Sequence, residues 1–574
     1  MKNLIRILTC TTWFVPFFDT ELFIYPSLSY SLLWGVLSCV LFLLTMAYSV
    51  KIGNVMLHTK WEFLIVFYIG YLIIHSCCAT TEYYRLYYYL SGFLFLFAIY
   101  HGCKNQVISF VTIKHLLIVG LIIQLIFIFG QVLQLWQSNS SFFPVTGCYE
   151  NPNVAAMYIT IVIPFILNEL YNKKLIAVYS CLLFLSLTAL YFLNCRTAWL
   201  AIVIPLAIFF INPLYHILKY RILQKAFVAS CTIFVLLFIS FLYQHKQDST
   251  DGRTFIWEIS AKEIIQNPQG NGYGRFAAVY NLRQSDYFMN HHSSEAEQKN
   301  ARFTAMAYND YLENGVDGGI AGMLLHIALI VSFIYLSYKE RNKVTFSFFL
   351  MVATMSCVNF FTISILPWIG FLMVAGYTLS IQPQETVRPL VNKTSYTFIV
   401  ILALSICYKQ VLFIVGQYTL AKSPKTEYEN LQSLSKHIGT SELYHRTLIR
   451  CLLHKKEWQK AVQHCNISLQ YTSYPSIYQM KANALLKENK IKEAESTLQI
   501  LRYMVPTHLG CRFQLLQLYR KNGFSQKAHD IAHEIVSIKP KTVSKETIYI
   551  QNSTLHYLKH IHHEHNQQHS ETHH

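Results

Sequence analysis

Polar and charged residues are costly at membrane depth, so their placement among apolar runs is informative. Four clusters stand at the edges of such runs. The first, Gly147-Cys148-Tyr149-Glu150-Asn151-Pro152-Asn153, precedes an apolar run that begins at Val154. An Asn-Pro turn can cap the following helix, and Asn151 and Asn153 could equally line a polar cavity. The second, Arg196-Thr197-Ala198-Trp199-Leu200, occupies a very short turn between two apolar runs. A guanidinium held there suits bidentate phosphate binding; an ordinary Arg at a helix end would only reach up to the headgroups. The third runs from Asp251-Gly252-Arg253-Thr254-Phe255-Ile256-Trp257 to Gly270-Asn271-Gly272-Tyr273-Gly274-Arg275. Here Phe255, Ile256 and Trp257 can lie against a bilayer surface while Arg253 reaches a phosphate, and the glycines permit close backbone approach. They form no P-loop, because no Gly-Lys-Ser or Gly-Lys-Thr closes the run. The fourth, Tyr308-Asn309-Asp310-Tyr311-Leu312-Glu313 through Asp317-Gly318-Gly319, concentrates acidity that could orient an acceptor hydroxyl, or could simply cap a helix.

The elements that must position these groups are membrane spans. Runs of the length a bilayer core requires occur near 4–18, 28–50, 61–78, 85–101, 116–135, 153–169, 175–193, 197–211, 226–243, 316–337, 344–362, 364–381 and 395–415, which predicts about 12 or 13 spans. Basic residues fall in alternate loops: Lys51 and Lys60, Lys104 and Lys114, Lys173 and Lys174, Lys219 with Arg221 and Lys225, Lys339 with Arg341 and Lys343, and Arg388 with Lys393. By the positive-inside rule these face the cytoplasm. The four clusters, the long segment 244–315 and everything after residue 416 then face outward.

Composition agrees. The chain is 53% hydrophobic and only 13% charged, with 47 Lys plus Arg against 30 Asp plus Glu, a net charge of +17. Those values exclude disorder and an ordinary cytosolic enzyme, and basic loops account for the charge without a nucleic-acid partner. Most of the 14 cysteines lie in apolar runs, so no disulfide framework follows.

From about residue 425 the sequence becomes polar with a helical pattern. Ala494 and Ala528 are 34 residues apart, as are Pro506 and Pro540, with Ala461 one residue short of that register. A period of 34 is the tetratricopeptide signature, in which stacked helix pairs leave a concave surface for a protein partner. The expected divisions are helices over 1–243, a long outer loop over 244–315, helices over 316–420, repeats over 425–545, and a His-rich tail over 546–574 read as disordered rather than metal-binding. The expected fold is therefore all-α, a polytopic transmembrane bundle followed by an α-solenoid.

The order of the pieces resembles the O-antigen ligase superfamily, which includes lipopolysaccharide O-antigen ligases, O-antigen polymerases and protein O-oligosaccharyltransferases. The resemblance covers most of the first 420 residues. It rests on the Asn151-Pro152 turn, the Arg196-x3-Leu200 pattern, the Gly252-Arg253 to Trp257 element and the Asn309 to Gly322 element. It implies a GT-C-like glycosyltransferase of the bacterial inner membrane. Such an enzyme transfers a preassembled glycan from undecaprenyl diphosphate to a lipid A core or protein acceptor on the periplasmic face, with no nucleotide sugar, metal or other cofactor. Carried over, Arg196 and Arg253, with Arg275 beside them, neutralise the diphosphate leaving group. Asn151, Asn153, Trp257 and Gly319 take acceptor or structural roles. Many ligases carry a His and a Gly with ten residues between them. Here Tyr308 occupies the position set by Gly319, and a phenol is a weak base at neutral pH. His291, His292, Asp310, Glu313 and Asn309 are the alternatives for activating the acceptor. A polyprenyl-glycan transporter is the competing reading, but no internally repeated halves support it; a non-enzymatic scaffold would leave the ordered Arg and Gly clusters unexplained.

Overall fold

Inside a bilayer every backbone polar group must be satisfied within the segment, which favours continuous helix over each apolar run. The computed structural model describes residues 1–17, 26–53, 59–211, 220, 223, 230, 247–291, 293–383, 393–422, 428–539 and 544–571. His292, Lys219, Arg221, Lys225, Arg388, Pro540 and, apart from residue 230, the expected span 226–243 lie outside the described residues. The described residues form helices and no strand.

Among the described residues fifteen α-helices precede residue 423: α1 Lys2–Phe14, α2 Pro26–Lys51, α3 Lys60–Cys78, α4 Tyr83–Lys104, α5 Phe110–Val132, α6 Pro152–Tyr171, α7 Ile176–Leu193, α8 Arg196–Leu206, α9 Gln247–Gln266, α10 Phe276–Asn290, α11 Glu295–Asn300, α12 Asp310–Lys339, α13 Lys343–Val358, α14 Ile365–Ser380 and α15 Lys393–Lys422. Among the described residues eight helices are long and apolar enough to cross a membrane: most or all of α2 to α7, α12 and α15. Three apolar helices are shorter, at Arg196–Ile211, Lys343–Val358 and Ile365–Ser380. The sequence reading counted these and α1 among its spans. Two of them sit in the protein interior: Phe348, Phe349 and Met351 of α13 and Leu366, Phe371 and Leu372 of α14 are fully buried.

By its contacts the chain divides into two units. The first comprises residues 1–247, 267–274 and 306–422. Its centre is α4, which packs on α2 and α14 and is buried along almost its whole length from Leu86 to Gly102. Local signals set the helix starts. Thr59 and Glu62 form a reciprocal capping box at α3, and Asn309 accepts from the backbone of Tyr311 and Leu312 at α12. Where α5 begins and α6 ends, Lys114 pairs with Glu169 at 3.0 Å.

The second unit comprises residues 248–266, 275–305 and 423–574. After α16 Tyr428–Ser433 and α17 Ser435–Ile438 come α18 Glu442–His454, α19 Trp458–Ser468, α20 Pro475–Lys487, α21 Ile491–Met504, α22 Leu509–Lys521, α23 Ser525–Ser537 and α24 Lys545–Glu571. Consecutive helices pack on one another from α18 to α24. Ala461, Ala494 and Ala528, the residues that marked the sequence period, are fully buried on α19, α21 and α23. Glu534 of α23 bridges Arg502 at 2.9 Å and Arg512 at 3.2 Å, tying α21, α22 and α23 together. The segment 275–305 belongs to this unit through α10, which packs on α21: Gln284 donates to the Met504 carbonyl at 2.5 Å and Ser285 to the Ile500 carbonyl at 2.9 Å.

Candidate active site

The first unit gathers its polar side chains at one end. The starts of α4 and α12 are joined through residues 267–274. Glu82, before α4, donates its N–H to the Tyr273 carbonyl at 2.9 Å, and Gly274 donates its N–H to Asp317 Oδ2 at 2.8 Å.

That junction explains the glycines. Helix α12 is broken at Gly319, whose φ is +66° with ψ −171°. At the break the chain 268–272 hydrogen-bonds the exposed backbone: Asn271 and Gly272 donate to the carbonyls of Val316 and Asp317, and Ile320 donates to the Pro268 carbonyl at 2.9 Å. A Cβ on Gly270 would collide with the backbone of 317–319, and one on Gly319 with the backbone of 268–269. The glycine run is thus a backbone clasp on the broken helix, and Gly319 is structural.

The acidic residues of α12 are buried at the same place. Asp310 Oδ2 accepts from the Thr362 N–H at 3.0 Å, and Glu313 Oε2 accepts from the Ala307 N–H at 3.0 Å. Glu313 Oε1 lies 3.9 Å from Arg85 Nη2. Tyr68 donates to Asn314 Oδ1 at 3.1 Å, and Tyr71 to the Gly318 carbonyl. Asp317 Oδ1 and Arg85 Nε are buried and have no hydrogen-bond partner among the described residues. A buried acceptor and a buried donor left open are each what a polar ligand or water would complete. Arg85 was not singled out from the sequence. Its signal was there, as a cation one turn inside the aromatic run Tyr83-Tyr84-Arg85-Leu86-Tyr87-Tyr88-Tyr89.

The expected site residues separate between the units. In the first, Arg196 is the first residue of α8, half-buried, after a left-handed Asn194 (φ +50°) that closes α7. The N-cap Cys195 makes no side-chain cap hydrogen bond, and Arg196 is the residue at the positive end of α8. Asn151 caps α6 by accepting from the Asn153 N–H at 3.0 Å, with Pro152 as the first helical residue, which is the structural alternative weighed for that cluster. Asn309 also donates to the Cys357 carbonyl at 2.8 Å. Tyr308, at φ +51°, meets Phe360 edge-on at 5.7 Å. Asp310 lies at the α12 start described above.

In the second unit, Arg253 and Trp257 lie half-buried on α9. Phe255, read as facing the bilayer, is instead buried against Tyr287 and Phe288 at 5.6 and 5.7 Å, because α9 packs its aromatic side inside this unit. Arg275 donates through Nε to the Gln470 carbonyl at 2.7 Å. His291 is exposed and stacked on Tyr287 at 5.0 Å. Glu297 accepts from the N–H and hydroxyl of Ser294 and from the Tyr287 phenol. The Ser294 backbone bond, chiefly, holds its carboxyl below the ordinary carboxylate value. Among the described residues no group of three or more His, Cys, Asp or Glu side chains is arranged to hold a metal ion.

Residues 181–327 match the family model described as O-antigen ligase. The match takes in Arg196, Arg253, Trp257, Arg275, Tyr308, Asn309, Asp310 and Gly319, but not Asn151 or Asn153. No curated protein matches the chain. The matched stretch holds the arginine-led start of α8 and the buried acidic start of α12, and over it the chain is similar to O-antigen ligases.

Proposed function

We propose that the protein transfers a preassembled glycan from undecaprenyl diphosphate to an acceptor at the outer face of the bacterial inner membrane, with a lipid A core sugar as the favoured acceptor. The observation that carries this reading is the O-antigen ligase match over 181–327, which contains both Arg196 and the acid-rich start of α12. An acceptor hydroxyl attacks the anomeric carbon of the glycan while the bond to the diphosphate oxygen breaks, and negative charge gathers on the departing diphosphate. Arg196 and the first-turn N–H groups of α8 are suited to receive that charge. Arg253 and Arg275, on the second unit, are the further diphosphate-binding residues that the family resemblance implies. The acceptor proton goes to a nearby base, for which Asp310 is the proposed group, with Tyr308 and Asn309 as positioning residues for the acceptor and His291 as the alternative base.

The helical second unit is proposed as a tetratricopeptide-like surface that recruits the acceptor or a protein partner, which keeps protein O-glycosylation and chain polymerisation as the nearest alternatives. The test incubates purified protein with fluorescent lipid-linked glycan and a lipid A core acceptor. Release of undecaprenyl diphosphate with acceptor labelling supports transfer. Movement of intact donor between leaflets, without bond cleavage, would replace it with the transporter reading.

A further inference from the structure

The second unit carries a feature that glycan transfer leaves unused. His529 and His533 lie one turn apart on α23, the spacing that stacks side chains on one face of a helix. Their Nε2 atoms are 3.0 Å apart and their ring centroids 4.4 Å, with His533 exposed and His529 half-buried. Metal–imidazole bonds are about 2.0–2.1 Å long, so two cis nitrogens are separated by about 2.9 Å at a right angle and about 3.3 Å at a tetrahedral angle. The observed separation falls in that interval.

We propose that His529 and His533 form a two-nitrogen clamp for a borderline divalent transition ion, such as Cu2+, Ni2+ or Zn2+, with water completing its shell. Among the described residues no third ligating side chain joins them, which fits an open, exchangeable site rather than a closed structural one. Imidazole nitrogen selects these ions over Mg2+ and Ca2+, which take oxygen ligands. Cu2+ binds most tightly of the series. The same i, i+4 spacing recurs on α24, where the His556 and His560 rings are 4.6 Å apart. The assignment is independent of the glycan-transfer reading.

The test uses full-length protein in detergent, titrated with CuCl2 and, separately, NiCl2. Equilibrium binding gives the stoichiometry and electron paramagnetic resonance the nitrogen coupling to Cu2+. The double variant His529→Gln with His533→Gln is expected to lose a single Cu2+ equivalent relative to the unaltered chain. His533→Gln alone, at an exposed position, is expected to weaken that equivalent about tenfold or more, because chelation is lost. It serves as the test if the double variant loses helical signal. Unchanged stoichiometry and unchanged nitrogen coupling in these variants would overturn the clamp and leave the 3.0 Å contact as a hydrogen bond between neutral rings.

Discussion

Arg196 and Arg85 illustrate two uses of a guanidinium in the first unit. Arg196 begins a helix whose N-cap makes no side-chain cap hydrogen bond, and it is the residue at the positive end of that helix. Arg196→Ala is expected to abolish transfer in the lipid-linked glycan assay without loss of membrane-inserted protein, and Arg196→Lys to restore little, because an ammonium lacks the bidentate fork. Arg85 instead sits against Glu313, and its side chain is only 18% exposed. Removing one partner of a buried pair leaves the other charge uncompensated, at a cost of about 3 kcal/mol. Arg85→Ala should therefore lower the unfolding midpoint in detergent, and Arg85→Ala with Glu313→Gln should recover part of it. Arg196 was legible because it stood in a turn too short to hide it. Arg85 was not, because its carboxylate partner is more than two hundred residues away and nothing local announces the pair.

Helix α12 shows what pattern alone conveys at the scale of an element. Its apolar length and its Asn309 cap were readable, and the glycines at 270–274 that meet it were read as room for close approach to a ligand. The structure uses that room for the chain's own backbone at 268–272, a long-range pairing that no local periodicity encodes. Gly319→Ala would place a side chain at φ +66° and into the Pro268 carbonyl. The backbone conformation alone costs about 1–3 kcal/mol, so the variant should lose both thermal stability and transfer activity. The His445 environment on α18 gives a pH prediction. Burial, chiefly, lowers its pKa from 6.5 to about 4, with Nε2 2.7 Å from the Gly439 carbonyl. The unfolded chain then takes up the proton first. The stability that neutral His445 preserves is full above pH 6.5 and is lost as pH falls toward about 4, to the extent of about 3 kcal/mol. Urea unfolding followed by helical signal should show that slope, and His445→Gln should flatten it.

At the scale of the whole molecule, composition was enough to read a helical membrane protein, and the alanines of the C-terminal region marked positions that are buried in its helix pairs. What the sequence did not disclose is that the long segment between α8 and α12 belongs to two units, because membership is decided by side chains such as Gln284 and Ser285 meeting α21. Deleting residues 425–574 would therefore bare Gln284 and Ser285, which are buried against α21 in the intact chain. The expected outcome is poor accumulation of the truncated protein in membranes, measured by immunoblot against the full chain, rather than a clean change of acceptor.

The interleaving also fixes a timetable for synthesis. Gln284 bonds a carbonyl 220 residues further on, and at about 5–20 residues per second a ribosome needs about 10–40 s to supply it. Throughout that interval α10 waits with its apolar side unclothed while the later apolar helices are still being threaded into the lipid. A nascent chain of this design depends on a holding factor, or on the bilayer surface itself, to keep that helix from sticking elsewhere.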